Sequence, residues 1–359
     1  LSIADSALSR MIARGIPFSH APNTAYEYSN YAFMILGRVI ANVSGMTYTR
    51  FVQQRLLAPL GMTSSTLEPA SVPAARFTQG YRWEDGQWKV EPQLANGAGG
   101  PMGGMLISPR DMGKWMSFML QAWPPRDGAD AGPLARASLR EMQQVHRSRP
   151  PVVTYDTITK RVTLFAPGYG YGLRIYANCR FAHVVAHAGG LPGFGTVMVW
   201  LPDYGVGIFA FGNRTYSDFF AAADSAFALM ASTGALVPRE ATPAPALAKA
   251  RDQVTRLVMT WSDALADSLA APNLYLDHDK PHRRAQLDSL HAKLGACSAG
   301  GAWDVVENAL RGQWVMPCAH GALRVSITMA PTMPPSVQFL EVSEEAAGAK
   351  GRDAGNCHP

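Results

Sequence analysis

The 359-residue sequence predicts an α/β fold, an antiparallel sheet flanked by helices, with a small α+β domain appended. Three observations carry this reading. A run of apolar residues at helical spacing (Phe33, Leu36, Ile40 and Val43, widened by Ile35 and Val39) follows Asn30. Strand candidates crowd the stretch 170–212, and Asp203-Tyr204-Gly205 joins the last two into an antiparallel hairpin. A Pro/Ala-rich stretch, 236–248, then marks a boundary, beyond which helical segments precede four short strand candidates.

Taken in order, residues 7–13 form a short helix and 14–27 a polar loop. The helix from Asn30 stops at Gly45, a residue suited to the left-handed cap position. A second helix, about 48–57, ends before Pro59, and 66–98 read as loop and hairpin around Tyr81, Trp83 and Trp88. Ser108-Pro109-Arg110-Asp111 is a helix start: a capping serine, proline in the first turn and an acid three beyond the cap. That helix runs to about Gln121. Strands follow at 152–154, 161–165, 170–176, 181–188, 196–201 and 205–212, then an Ala/Phe-rich helix over 217–232. Past the boundary, helices are expected at 247–269 and 282–294, and strands at 305–308, 312–316, 323–329 and 337–342. The tail from 344 to 359 is polar and expected to be disordered.

Composition narrows the function classes. Hydrophobic residues at 47% and charged residues at 16% describe a globular chain. A net charge of +5 is spread over scattered arginines, which offers no electrostatic footprint for nucleic acid. No apolar run reaches the roughly 18 residues of a membrane span. The four cysteines lack metal-ligand spacing; Cys297 and Cys318 either pair, which suits an oxidising compartment, or stay as thiols.

Two stretches carry chemistry. Tyr28-Ser29-Asn30 puts a phenol and a carboxamide at a helix entrance, where a proton can be handled and a polar substrate held; the plainer reading is that Ser29 caps and Tyr28 packs. His187-Ala188-Gly189-Gly190 follows a strand, and its small residues leave a bare backbone edge along which an amide or ester can lie, with the Gly190 N–H free for an oxyanion. The plainer reading is a glycine turn. Ser29 as a nucleophile with His187 as its base lacks a third group to orient the histidine. His183 and His187 lack the carboxylate or cysteine support a metal needs, so neither metal nor organic cofactor is expected. The glycine-rich 97–104 lacks dinucleotide spacing, and Asp277-His278-Asp279 with His282 and Arg283 reads as a helix cap.

In combination, residues 26–62, Gly103 to Asp111, Tyr169-Gly170-Tyr171-Gly172-Leu173 and His187 through Asn213 occur in an order that resembles the serine β-lactamase-like superfamily. That group spans class C β-lactamases, penicillin-binding D,D-peptidases and related esterases. The resemblance covers about residues 20–232 and implies a β-lactamase/transpeptidase-like sheet. It implies Tyr28 as general base, Asn30 as a holder of substrate amide or active-site lysine, His187 in place of the lysine of Lys-Thr-Gly, Gly190 as an oxyanion donor, and Ala188 and Gly189 as substrate-binding backbone. The substrate would be a small-molecule amide or ester: a β-lactam, a peptidoglycan peptide or an ester.

The family nucleophile sits in Ser-x-x-Lys upstream of Tyr-x-Asn, and no serine in this chain has a lysine three positions on. The expectation is therefore an N-terminally incomplete hydrolase domain over 1–235, lacking strands on one side of its sheet and exposing an apolar edge. A linker at 236–248 and an accessory domain at 249–343 complete the division. The resemblance also implies export to a periplasm or cell envelope. The rival is a non-catalytic binding or regulatory protein that keeps the fold.

Overall fold

A computed structural model describes residues 1–126, 128–155 and 162–345. Two compact units divide the described residues, the first formed by Leu1–Trp123 and Ala129–Pro238, the second by 239–345 together with the segment around Pro124.

The first unit opens with α1 (Asp5–Ala13), α2 (Asn30–Ser44) and α3 (Tyr48–Val52), the last continued by a π-helical turn, Gln53–Leu57. Local chemistry sets the ends of α2. The Ser29 hydroxyl accepts from Ala32 N–H at 3.1 Å, and Gly45 closes the helix at φ 66°. The expected apolar stripe is not the buried one. Met34 and Gly37 are buried, whereas Leu36 and Val43 are 52% and 84% exposed. A helix apolar on most sides does not reveal by period which side packs. Close approach decides instead: a Cβ on Gly37 would fall 2.2 Å from Pro101 Cγ.

Next come a hairpin, β1 (Tyr81–Glu84) and β2 (Gln87–Val90), and helices α4 (Pro109–Leu120) and α5 (Arg136–Met142). Trp83 faces Trp88 across the hairpin with ring centroids 5.0 Å apart. Ser108 caps α4 through the Asp111 N–H at 3.2 Å. The acid does not return the favour. Buried Asp111 turns to the Ser64 N–H (2.7 Å), the Ser65 hydroxyl (2.9 Å) and Lys114 (3.0 Å). Burial alone would raise its pKa, but these partners together hold it below the usual value.

The main sheet has β3 (Arg147–Ser148), β4 (Val152–Tyr155), β5 (Val162–Tyr169), β6 (Arg174–Asn178), β7 (Val184–Leu191), β8 (Phe194–Leu201) and β9 (Val206–Gly212), followed by α6 (Phe220–Ser232). The order is β3-β5-β6-β7-β8-β9, all antiparallel, with β4 also on β5. Each face has its own core. Ile175, Val185 and Trp200 pack with Met116, Met119 and Leu139 of α4 and α5. Val184, Ala186, Val197, Val199 and Leu201 pack with Ala223 and Phe227 of α6. Among the described residues β9 is the end strand, its Ile208 to Phe211 only half-buried.

Two strand expectations change. The segment 170–176 is not one strand: Gly170 N–H donates to Leu173 C=O at 2.9 Å, with Gly172 at φ 69°, so Tyr171-Gly172 is the turn between β5 and β6. The glycines after His187 do not form a turn. They continue β7 as far as Leu191, and Pro192-Gly193 turns instead, with Gly193 at φ 86°. Arg161, taken as a strand start, lies outside the described residues, as does the tail 346–359.

The second unit holds α7 (Pro245–Met259), α8 (Asp263–Leu269), α9 (Lys280–Leu294) and an antiparallel sheet of β10 (Val305–Asn308), β11 (Arg311–Cys318), β12 (Gly321–Met329) and β13 (Val337–Glu344). Pro245, inside the stretch taken as linker, is the first residue of α7, where its missing N–H costs nothing. The long helix expected over 247–269 is two: Thr260 is extended, and Ser262 caps α8. Cys297 and Cys318 are disulfide-bonded. Asp279 caps α9 through His282 N–H at 2.9 Å, and Asp277 pairs with the buried Arg283. The helix-cap reading of that acidic tract holds.

Candidate functional site

Tyr28 and His187 come from opposite kinds of structure. Tyr28 precedes the Ser29 cap of α2 and is 46% exposed. His187 is a half-buried residue in the middle of β7, paired across to Met198. The fold brings their rings to 6.3 Å between centroids. Tyr169, at the end of β5, completes the cluster. Its hydroxyl lies 3.3 Å from His187 Nε2, its ring meets Tyr28 edge-on at 6.5 Å, and Tyr26 packs on it at 4.8 Å.

Burial sets the electrostatics. It pushes the Tyr169 phenol up to about 12, so the hydroxyl keeps its proton at any ordinary pH. Burial also lowers the His187 pKa, a hydrogen bond to the Ala188 backbone works against that, and Arg174 adds to the lowering. The imidazole is thus held towards its neutral form.

The register of the sheet decides where the backbone of Ala188 and Gly190 points. On β5 the carbonyls of Pro167 and Tyr169 accept from Arg149 and His146 N–H, on the β3 side. Gly168, between them, therefore faces β6 and its partner Ile175. Arg174 and Tyr176 then face β7, where they meet Ala186 and Val184. By alternation Ala188 and Gly190 turn the same way. Pairing with β6 ends at Arg174, so the Gly190 N–H is directed to an open stretch of strand edge. Gly189 and Gly190 are exposed. A side chain at Gly190 has no room, because its Cβ would fall 2.1 Å from the Tyr216 ring.

A cavity of about 270 Å³ opens on the tyrosine side of this cluster, lined in part by Tyr26, Tyr28, Tyr169, Phe33, Asn23 and Arg147. The predicted residues are not all gathered. Tyr28 and His187 meet, and Gly190 lies three residues along the same strand, but none of Asn30, His187 and Gly190 lines the cavity. Asn30 begins α2 as an exposed residue. His183 turns away, with Nε2 2.8 Å from Gln143 C=O. Among the described residues no cluster of three His, Cys, Asp or Glu side chains could hold a metal ion, and no helix is long and apolar enough to cross a membrane. Sequence reasoning missed the side chains of Tyr26 and Tyr169. Both lie inside phrases it had singled out, and the signal was the tyrosine in each.

Residues 6–232 match the model of the Beta-lactamase family. The chain is 26% identical over 219 residues to Unguisins hydrolase ungD' of Aspergillus campestris, covering 59% of this chain and 38% of that protein. It is 25% identical over 204 residues to Protein flp of Staphylococcus aureus, covering 56% and 36% respectively. It thus spans less than two-fifths of the length of these relatives. Among solved structures, the octameric penicillin-binding protein homologue from Pyrococcus abyssi aligns with a TM-score of 0.50 at 16% identity, over 94% of this chain and 68% of that one, a likeness of fold.

Proposed function

The chain belongs to the beta-lactamase family, and from that premise we propose that it supplies the tyrosine, histidine and oxyanion side of a serine hydrolase acting through an acyl-enzyme. The observation that carries this reading is the meeting of Tyr28 with His187 beside the open edge at Gly190.

In this reading a small amide or ester lies along the edge of β7, in contact with the Ala188 and Gly189 backbone. Its carbonyl oxygen gathers negative charge and takes the Gly190 N–H. Tyr28 serves as the general base that draws the proton from an attacking serine and passes it to the leaving group. Asn30, one step inside α2, reaches the substrate amide or a lysine brought beside it. The serine and its lysine are not among these 359 residues, since no Ser-x-x-Lys occurs in them. Acyl transfer therefore needs a segment beyond this chain. β-Lactam, peptide and ester all fit the same chemistry. The Cys297–Cys318 disulfide supports a periplasmic or envelope location.

The absent motif also favours a second reading, a relative that binds such molecules without turnover. Treating the product of the complete reading frame with a fluorescent penicillin and with p-nitrophenyl esters separates the two. A covalent adduct or a burst of nitrophenol supports the hydrolase. Saturable binding with neither supports the binding protein.

A further inference from the structure

The second nitrogen contact of His187 is the feature the hydrolase reading does not use. A neutral imidazole has one N–H and one bare nitrogen, and its neighbours decide which is which. The Tyr169 hydroxyl sits 3.3 Å from Nε2, within hydrogen-bond reach. The Tyr169 hydroxyl makes no other hydrogen bond among the described residues, so as an acceptor from an Nε2–H it would leave its own proton unpaired. That leaves Nε2 bare and Tyr169 as its donor. We infer that Tyr169 is a positioning residue for His187, its hydroxyl donating to Nε2 and holding the imidazole as the Nδ1–H tautomer at the edge of β7.

Tyr169 is built for this task. Its backbone is fixed twice, by pairing with Arg174 and by its C=O accepting from His146 N–H at 3.0 Å. Its ring is fixed by Tyr26 at 4.8 Å. The groups around the imidazole are Tyr28 at the head of α2, Tyr169 on β5, Tyr26 behind it, and Arg174 on β6 as the cation. No carboxylate is among them, and burial outweighs the Ala188 backbone contact that favours protonation. Tyr28, with no hydrogen bond to its hydroxyl among the described residues, keeps that hydroxyl for substrate chemistry. The histidine thus differs from the lysine that the family resemblance sets at this position: it is a neutral group whose outer nitrogen is already taken. The inference rests on His187 being part of the site, but not on turnover.

The test reads the ring directly. In ¹⁵N-labelled chain, long-range ¹H–¹⁵N correlation spectra of His187 should show Nε2 unprotonated and Nδ1 protonated above the titration. In Tyr169→Phe, which keeps the ring packing and removes the donor, His187 should become a mixture of tautomers, and its titration midpoint should move up towards the ordinary 6.5, because the bond had favoured the neutral form. Tyr26→Phe should leave both readings as in the wild type. A wild-type spectrum with the proton on Nε2 overturns the inference without any variant, and so does a Tyr169→Phe spectrum unchanged in tautomer and midpoint. The tautomer can be as stated while acylation fails, or the reverse, so the two proposals fail separately.

Discussion

The two sides of the candidate site are held by different physics. The α2 side is local: Tyr28 stands one residue before a helix cap, and a single hydrogen bond, Ser29 Oγ to Ala32 N–H, fixes the geometry. The β7 side is long-range. His187 and Gly190 take their positions from a ladder that runs from β5 through β6 to β8, and from backbone approaches at which only glycine fits. The difference teaches where rigidity lies. The edge that would receive a carbonyl is over-determined, whereas the phenol that would move a proton is lightly held and exposed.

Substitutions can break or sharpen that contrast. The largest expected effect is Gly195→Ala on β8, opposite Gly190. The new Cβ would fall 2.2 Å from Ser217 O and 2.3 Å from Ser217 N, which are backbone atoms that cannot rotate away. A loss of roughly 2–4 kcal/mol is expected from urea unfolding followed by tryptophan fluorescence. Ser29→Ala should cost about 1 kcal/mol in the same assay, the ordinary value of a cap. Equal losses for the two would erase the contrast.

A smaller effect comes from pH. The folded-state pKa of His187 lies below its ordinary value, so its contribution to stability is fully present above about 6.5 and is lost as pH falls from there through the folded-state value. Melting temperatures between pH 7.5 and 5.5 should decline, and His187→Asn should flatten that decline. An identical slope in the variant would show that other groups carry it. The smallest effect is Tyr28→Phe on stability. With the side chain 46% exposed and its hydroxyl unbonded among the described residues, the change should stay within about 0.5 kcal/mol.

The same contrast explains what the sequence made legible. Ser29 and Ser108 as caps, Gly45 as a stop and the Asp203-Tyr204-Gly205 turn were readable because each is decided within a few residues. The strand limits around Tyr169 and His187 were not. Gly-rich stretches look like turns in isolation, and only pairing with β8 makes Gly189 and Gly190 a strand. The buried side of α2 was hidden for a similar reason, since Pro101 on a distant turn selects Gly37 and Met34 over Leu36 and Val43. Tyr28, Asn30, His187 and Gly190 could be named from motif order, but the hydroxyl of Tyr169 against His187 is a product of three strands, and locally only the tyrosine itself was visible.

We propose that Tyr28 handles a proton in acyl transfer while its neighbour Ser29 only caps a helix. The direct measurement is the acylation rate of the product of the complete reading frame, followed by mass spectrometry of the adduct, in wild type, Tyr28→Phe and Ser29→Ala. A fall of about 10²–10⁴-fold is expected for Tyr28→Phe, with folding intact, and less than about tenfold for Ser29→Ala. An acylation rate unchanged by Tyr28→Phe, or abolished by Ser29→Ala in a folded protein, would contradict it.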